Sequence, residues 1–105
     1  MPKFLLRGSY DATGMKAVQK NKGTGGENEV AYVCKPLGGT LDVMYFALGE
    51  DDVVAIVDMP GKSHVANLCA AVRARGMKTS VLPLLTAAEM DGWCTENVNY
   101  QPPGS

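Results

Sequence analysis

Two neighbouring segments, residues 40–48 and 53–59, are apolar on both of the faces that a β-strand presents. Side chains alternate between the faces of a strand, so a sheet that is covered on one face only alternates apolar and polar residues. The alternation in the first segment separates two apolar sets: Leu41, Val43, Tyr45 and Ala47 against Met44, Phe46 and Leu48. The polar turn at residues 49–52 joins the two segments as a hairpin. A sheet built on this hairpin must therefore be covered on both faces.

The other periodic segments predict two more strands and two main helices. Runs of apolar residues predict strands over residues 3–10 and 77–85. Apolar residues at helical spacing predict helices over residues 27–37 and 64–75, each followed by a glycine that ends it. The order is β-α-β-β-α-β, the split βαβ arrangement called ferredoxin-like. We expect an α+β fold with a four-stranded antiparallel sheet that carries both main helices on one face.

A short additional helix is predicted before the first main helix. It covers residues 15–20, and either Asp11 or Thr13 caps it. The glycine-rich segment at residues 21–26 is expected to form a turn that ends it. Pro36 disfavours helical geometry at the residue before it, so we expect a distorted last turn in the helix that follows.

A closing helix is predicted over residues 86–94. Thr86 and Glu89 have the spacing of a capping box, in which each side chain accepts a hydrogen bond from an orphan amide. Its inner face is expected to consist of Met90, Trp93 and Cys94. The chain is therefore interpreted as a single domain over residues 1–96, followed by a loose polar tail at 97–105.

The charge balance excludes a general electrostatic nucleic-acid binder. Ten Lys and Arg residues stand against eleven Asp and Glu residues, with a formal charge of −1, whereas such a binder has a basic excess. No apolar run approaches the roughly 18 residues of a membrane span, and the first residues are not those of a signal peptide. We expect a cytoplasmic protein that binds neither nucleic acid nor a membrane.

The cysteines predict neither a disulfide framework nor a metal site. Cys34, Cys69 and Cys94 are odd in number and widely spaced, with no Cys-x-x-Cys motif. Zinc usually takes four ligands, which here would require all three thiols and the lone His64 to meet. We expect no metal and no cofactor, with Cys34 and Cys69 acting as small hydrophobic residues on helix faces.

Several short motifs, in this order and spacing, resemble the GYD domain family over about residues 1–91. They are Pro2-Lys3-Phe4 through Gly8-Ser9-Tyr10, Leu37-Gly38-Gly39, Tyr45-Phe46-Ala47-Leu48-Gly49-Glu50, Ile56-Val57-Asp58 and Pro83-Leu84-Leu85-Thr86. The resemblance implies a dimeric α/β barrel, in which ferredoxin-like protomers pair sheet to sheet. Such pairing would cover the second apolar face of the hairpin. The resemblance implies a fold and does not imply a biochemical activity.

One turn departs from the family's pattern. The family takes its name from a Gly-x-Tyr-Asp turn, and this chain has Gly49-Glu50-Asp51-Asp52, with Asp51 in the place of the tyrosine. Any packing or binding by that tyrosine in relatives is lost here. Gly49 and Asp52 are retained, and both residue types favour turns.

Five residues are candidates for lining a ligand pocket: Arg7, Tyr10, Tyr32, Tyr45 and His64. His64 is either a general base, because histidine titrates near neutrality, or a solvated residue in the first turn of its helix. The tyrosines either donate hydrogen bonds in a pocket or pack in the core or an interface. None of the five is assigned a catalytic role.

Arg7 is a lone charge inside an apolar strand, so it needs a partner if it is buried. Asp42 or Asp58 is the expected partner in a structural ion pair. The alternative is that Arg7 binds a carboxylate or phosphate group of a ligand.

No pairing of a nucleophile with a base is evident in the sequence, which favours a small-molecule binding or regulatory module. A small cofactor-independent enzyme, oxygenase-like or isomerase-like, is an alternative that rests on the fold resemblance alone. Its candidates, His64, Arg7 and a tyrosine, would have to converge on a pocket between sheet and helices. A protein–protein adaptor is a third possibility, with an exposed apolar patch. We expect a homodimer through residues 40–48 and 53–59, with a higher assembly built from such dimers as an alternative, because self-association about a two-fold axis commonly buries such a face.

Overall fold

The structure, a computed structural model, describes residues 1–96 and the side chains of residues 1–94, so the predicted tail at 97–105 lies outside the described residues. The elements follow the predicted order. They are β1 (Lys3–Tyr10), α1 (Ala12–Cys34), a 3-10 turn (Lys35–Leu37), β2 (Thr40–Phe46), β3 (Val53–Asp58), α2 (Lys62–Ala74), β4 (Met77–Leu84) and α3 (Ala87–Glu96). No helix among them is long and apolar enough to cross a membrane.

The four strands form one antiparallel sheet in the order β2-β3-β1-β4. Both main helices pack against the same face, because the buried residues of α1 and α2 join those of the strands in a single core. The helices contribute Val30, Val33, Cys34, Val65, Leu68 and Val72 to it. The predicted α+β class and ferredoxin-like arrangement are confirmed.

The other face of the sheet, which we call the open face, is apolar across all four strands. Val43 of β2 pairs with Ile56 of β3, Ile56 pairs with Leu5 of β1, and Leu5 pairs with Leu82 of β4. These four residues form the apolar row. All of them retain solvent exposure, and Leu82 is 54% exposed. The second apolar surface expected from the hairpin therefore exists.

A β-bulge in β2 changes which residues share a face. The register with β3 shifts between Leu41 and Val43, so Asp42 is the extra residue. Leu41 consequently packs against the core on the helix face, together with the buried Met44. The prediction that Leu41 shares a face with Val43 is wrong, because simple alternation does not account for an inserted residue. Strand β2 also ends at Phe46, which leaves Leu48 fully exposed in the loop.

The two separately predicted helices are joined in α1, which contains residues 15–20 in its first arm and residues 27–34 in its second. The last three residues of the second predicted helix, 35–37, form the 3-10 turn, so the distortion expected from Pro36 is confirmed. Asp11 caps the first arm, since its Oδ1 accepts a hydrogen bond of 2.8 Å from the Gly14 amide. The only residue between the arms with non-helical geometry is Lys22, at φ 63° and ψ 178°. The predicted turn at residues 21–26 is therefore wrong in extent. Packing overrides the weak helix propensity of glycine here, because the Phe46 ring lies where a side chain at Gly23 would be.

Helix α3 begins as predicted, but its packing differs from the prediction. The Thr86 amide donates to Glu89 Oε1 at 3.0 Å, and the Glu89 amide donates to Thr86 Oγ1 at 3.1 Å. The hydrogen bond from the Thr86 backbone lowers the pKa of Glu89. Met90 and Trp93 are nevertheless 44% and 57% exposed and Cys94 is exposed, so these residues do not form the buried inner face that was expected. A capping box sets where a helix begins and does not set what the helix packs against.

Two loops cross closely at the end of the helical layer. The Asp11 amide donates a 2.9 Å hydrogen bond to the carbonyl of Gly76, between α2 and β4. Gly76 has φ +97°, and a Cβ there would lie 2.5 Å from the Gly14 nitrogen and 2.7 Å from Asp11 Oδ1. The crossing therefore requires glycine at position 76, both for its backbone conformation and for the lack of space.

Replacing Gly76→Ala is expected to lower the free energy of unfolding by about 2–4 kcal/mol, because left-handed backbone strain adds to overpacking. The control is Gly49→Ala, since no atom lies within 4 Å of a Cβ placed at Gly49. Its effect is expected to stay within about 0.5 kcal/mol. Urea denaturation of both variants checks this, and equal small effects would contradict the close crossing.

Candidate functional site

A cleft opens on the helical side of the sheet, between the two arms of α1 and the C-terminal end of α2. Its empty volume is about 420 Å³, which includes solvent space at its open side. Tyr10 at the end of β1 and Met77 at the start of β4 contribute to its wall. The remaining lining residues are Gly14, Ala17, Val18, Asn21, Gly26, Glu29, Val30, Val72 and Arg75.

Because α1 is broken at Lys22, both of its arms contribute residues to the wall of the cleft. Ala17 and Val18 come from the arm before the break, and Val30 comes from the arm after it. Gly26 on the second arm brings the backbone close to the first strand, since a Cβ there would lie 3.7 Å from the Tyr10 hydroxyl. A larger residue at position 26 would project into this space.

An ion pair closes one side of the cleft. Arg75 Nη1 lies 3.2 Å from Glu29 Oε1, and both side chains are partly exposed, at 46% and 38%. An exposed pair of this kind contributes only about 0–1 kcal/mol to stability. Its larger effect is on the character of the cleft, because one positive and one negative group offset each other at the rim.

Tyr10 is the half-buried polar residue of the cleft wall. Its backbone amide donates to Asp52 Oδ2 at 2.9 Å, which ties the end of β1 to the loop between β2 and β3. Burial raises the pKa of Tyr10, and the negative charges of Glu29 and Asp52 raise it further. The hydroxyl therefore keeps its proton at neutral pH and can donate a hydrogen bond.

The structure places Arg7 on the open face, away from the cleft. Its Nε lies 2.7 Å from Asp51 Oδ2, and its side chain is 51% exposed. The predicted pairing with Asp42 or Asp58 is wrong, because both of those residues pair with Lys3 instead. The register of β1 with β3 explains why Lys3, and not Arg7, pairs with Asp58. Lys3 lies opposite Asp58, whereas Arg7 lies near the end of β1 that contacts the loop.

The remaining candidates are also separated from the cleft. Tyr45 of β2 lies on the open face and is 67% exposed. It shares a cross-strand row with Arg7, because both residues pair with Val54 of the intervening strand β3. Tyr32 projects from α1 and is 71% exposed. His64 is the third residue of α2, with its Nδ1 3.5 Å from the Ser63 hydroxyl. Of the five candidates, Tyr10 lies at the cleft, and Arg7 and Tyr45 share the open face.

Comparison with known families matches the GYD domain to residues 4–93, from β1 into α3. This chain belongs to the GYD domain family. No curated protein and no solved structure matches it. The family assignment agrees with the resemblance carried by the strand and turn motifs, and it names no substrate or reaction.

The aspartate that stands in the place of the family's turn tyrosine makes an ion pair in this GYD domain. Asp51, which stands in the place of the tyrosine, is the residue that pairs with Arg7. The turn therefore supplies a counter-charge to an arginine of the open face. In this chain the position acts through charge, whereas a tyrosine would act through its ring and hydroxyl.

Sequence reasoning missed three polar residues of the cleft in this GYD domain: Asn21, Glu29 and Arg75. The sequence does contain a helical-spacing signal for two of them, Glu29 and Arg75. Glu29 lies four residues before the buried Val33, and Arg75 lies three residues after the buried Val72. Charged residues at this spacing lie at the border of an apolar helix face. Nothing in the sequence shows that the two borders meet.

Within residues 1–96 no group of three or more His, Cys, Asp or Glu is arranged to hold a metal ion. Cys34 is fully buried, and burial raises the pKa of its thiol to about 11. A protonated, inaccessible thiol is a packing group rather than a nucleophile.

The raised pKa of Tyr10 predicts a pH dependence of stability. The unfolded chain loses the tyrosine proton first, so the free energy of unfolding is expected to fall as the pH rises above about 10. Urea denaturation at rising pH should show this decline reduced in Tyr10→Phe. It should persist in Tyr32→Phe, which removes an exposed hydroxyl. An unchanged decline in Tyr10→Phe would contradict the burial of Tyr10.

Proposed function

We propose that this GYD domain is a small-molecule-binding module that assembles as a homodimer through the open face of its sheet. The observation that carries the proposal is the cleft beside Tyr10, Glu29 and Arg75. It lies on the helical side of the sheet, so a ligand and a second protomer would occupy opposite sides.

The composition of the cleft supports ligand binding. Its wall is mostly apolar, from residues such as Val18, Val30 and Val72, and only a few polar groups reach it. Concave apolar sites with a few convergent polar groups are typical of small-molecule sites. The apolar part supplies binding energy, and the polar groups orient the ligand.

The open face supports self-association. Burying a fully exposed side chain of this size gains about 1.5–3 kcal/mol, and each residue of the apolar row would gain the fraction of this that corresponds to its remaining exposure. Charged side chains flank the row on the sheet, and they are paired within the protomer: Lys3 with Asp42 and Asp58, and Arg7 with Asp51. Because both basic groups and their acidic partners are already paired, the charge that a second copy meets at this face is small. A two-fold axis then places the same patch on both sides of the interface.

The enzyme alternative has less support from the geometry. It requires His64, Arg7 and a tyrosine at one pocket between sheet and helices, and Tyr10 is the member of that set found at the cleft. The adaptor alternative is favoured by one feature, the exposure of Leu85 and Met90 around α3. An adaptor surface there would leave the cleft and the open face as described.

Ligand binding can be tested by following amide chemical shifts while a library of small fragments is added. Perturbations are expected to cluster around Val18, Val30 and Val72. Val18→Trp fills the cleft and should abolish them, whereas the control Gln19→Trp, at an exposed neighbouring position, should preserve them. Fragments that bind elsewhere only, or that still bind in Val18→Trp, would contradict the proposed site.

The homodimer can be tested by light scattering at low micromolar concentration. The protein is expected to have the mass of a dimer, and Ile56→Glu is expected to convert it to a monomer, because it places a charge in the centre of the apolar row. The control Tyr32→Glu changes an exposed residue of α1 and should remain dimeric. A monomeric mass for the unmodified protein would contradict the proposal and make α3 the candidate cover for the open face.

A further inference from the structure

We infer that the cleft takes a small neutral molecule with an apolar body and one oxygen that accepts a hydrogen bond from the Tyr10 hydroxyl. The inference rests on the proposed function and adds the chemical class of the ligand. Three observations carry it: the charge balance at the rim, the state of the Tyr10 hydroxyl and the side chains of the wall.

The rim discriminates against charged ligands. Glu29 and Arg75 already pair at 3.2 Å. An anion that approached Arg75 would be repelled by Glu29, and a cation that approached Glu29 would be repelled by Arg75. Either ligand that contacts one member of the pair therefore also lies near the like charge of the other member, which reduces its gain. A neutral ligand leaves the pair intact.

The Tyr10 hydroxyl is the half-buried donor of this cleft, since the Asn21 side chain is exposed and Arg75 is paired with Glu29. Tyr10 is the last residue of β1, and the hydrogen bond from its backbone amide to Asp52 Oδ2 fixes its backbone. The hydroxyl makes no hydrogen bond with another residue of the described part of the chain. A ligand that covers it without accepting a hydrogen bond would remove it from water at a cost. A carbonyl or ether oxygen satisfies it.

The wall fits a compact apolar body. Ala17 and Val18 on one arm of α1 lie across from Val30 on the other, with Val72 and Met77 completing the apolar surface. Methionine adapts to irregular shapes and makes favourable contacts with aromatic rings. A single ring that carries one acceptor oxygen therefore combines the features that the cleft recognises.

Four probes that share one aromatic ring test the inference: acetophenone, ethylbenzene, benzoate and benzylamine. Titrations followed by amide shifts around Val18 and Val72 give the dissociation constants. Acetophenone is expected to bind tightest, with benzoate and benzylamine weaker by about tenfold or more. Tyr10→Phe is expected to weaken acetophenone by about 3- to 10-fold, the effect of one neutral hydrogen bond. Ethylbenzene should be unaffected, and Tyr32→Phe should change neither.

A second variant, Glu29→Gln, tests the charge argument at the rim. It leaves Arg75 without its counter-charge and should strengthen benzoate binding several-fold relative to acetophenone binding by the same variant. Tightest binding of benzoate or benzylamine to the unmodified protein would overturn the ligand class and leave the cleft as a site. Equal binding of acetophenone and ethylbenzene would overturn the role of Tyr10. If none of the four probes perturbs the cleft, the proposed function fails together with the inference.

Discussion

The register of β1 between β3 and β4 is the constraint on which the rest of the structure depends. It places Leu6 opposite Ala55 and Val81 on the helix face, and Leu5 opposite Ile56 and Leu82 on the open face. Because side chains alternate, a slip of one residue would exchange the two sets. The helix-face set is Phe4, Leu6 and Gly8, whereas the open-face set places the charges of Lys3 and Arg7 beside Leu5, so a slip would bury two charges in the core. The observed register also sets Lys3 opposite Asp58 and brings Arg7 to Asp51.

The two faces of the sheet then have separate roles. On the helix face, the crossing at Gly76 and the break at Lys22 set the positions of the two arms of α1 around a cleft. On the open face, the apolar row spans the full width of the sheet. Tyr10 and Asp52 link the two regions, because the loop that holds Tyr10 also carries Asp51, the partner of Arg7.

Much of the fold could be predicted from local sequence. The hairpin, the left-handed residue at Gly38 with φ 76° and the Thr86 capping box all depend on residues close together in the chain. Failures occurred where tertiary contacts decided the outcome. The bulge at Asp42 moved Leu41 to the other face, and packing against Phe46 kept the glycine-rich segment of α1 helical. The cleft was missed for the same reason, since Glu29 and Arg75 meet only when α1 and α2 pack together.

The central claim is that the open face of one protomer packs against the open face of another, leaving the cleft on the helical side free for a ligand. The most direct measurement is nuclear Overhauser contacts between protomers that carry different isotope labels. The account predicts contacts between protomers among the methyl groups of Val43, Leu5, Ile56 and Leu82, the four residues of the apolar row. Contacts that instead join α2 residues of the two protomers, or the absence of any contact between protomers at these four methyl-bearing residues, would contradict it.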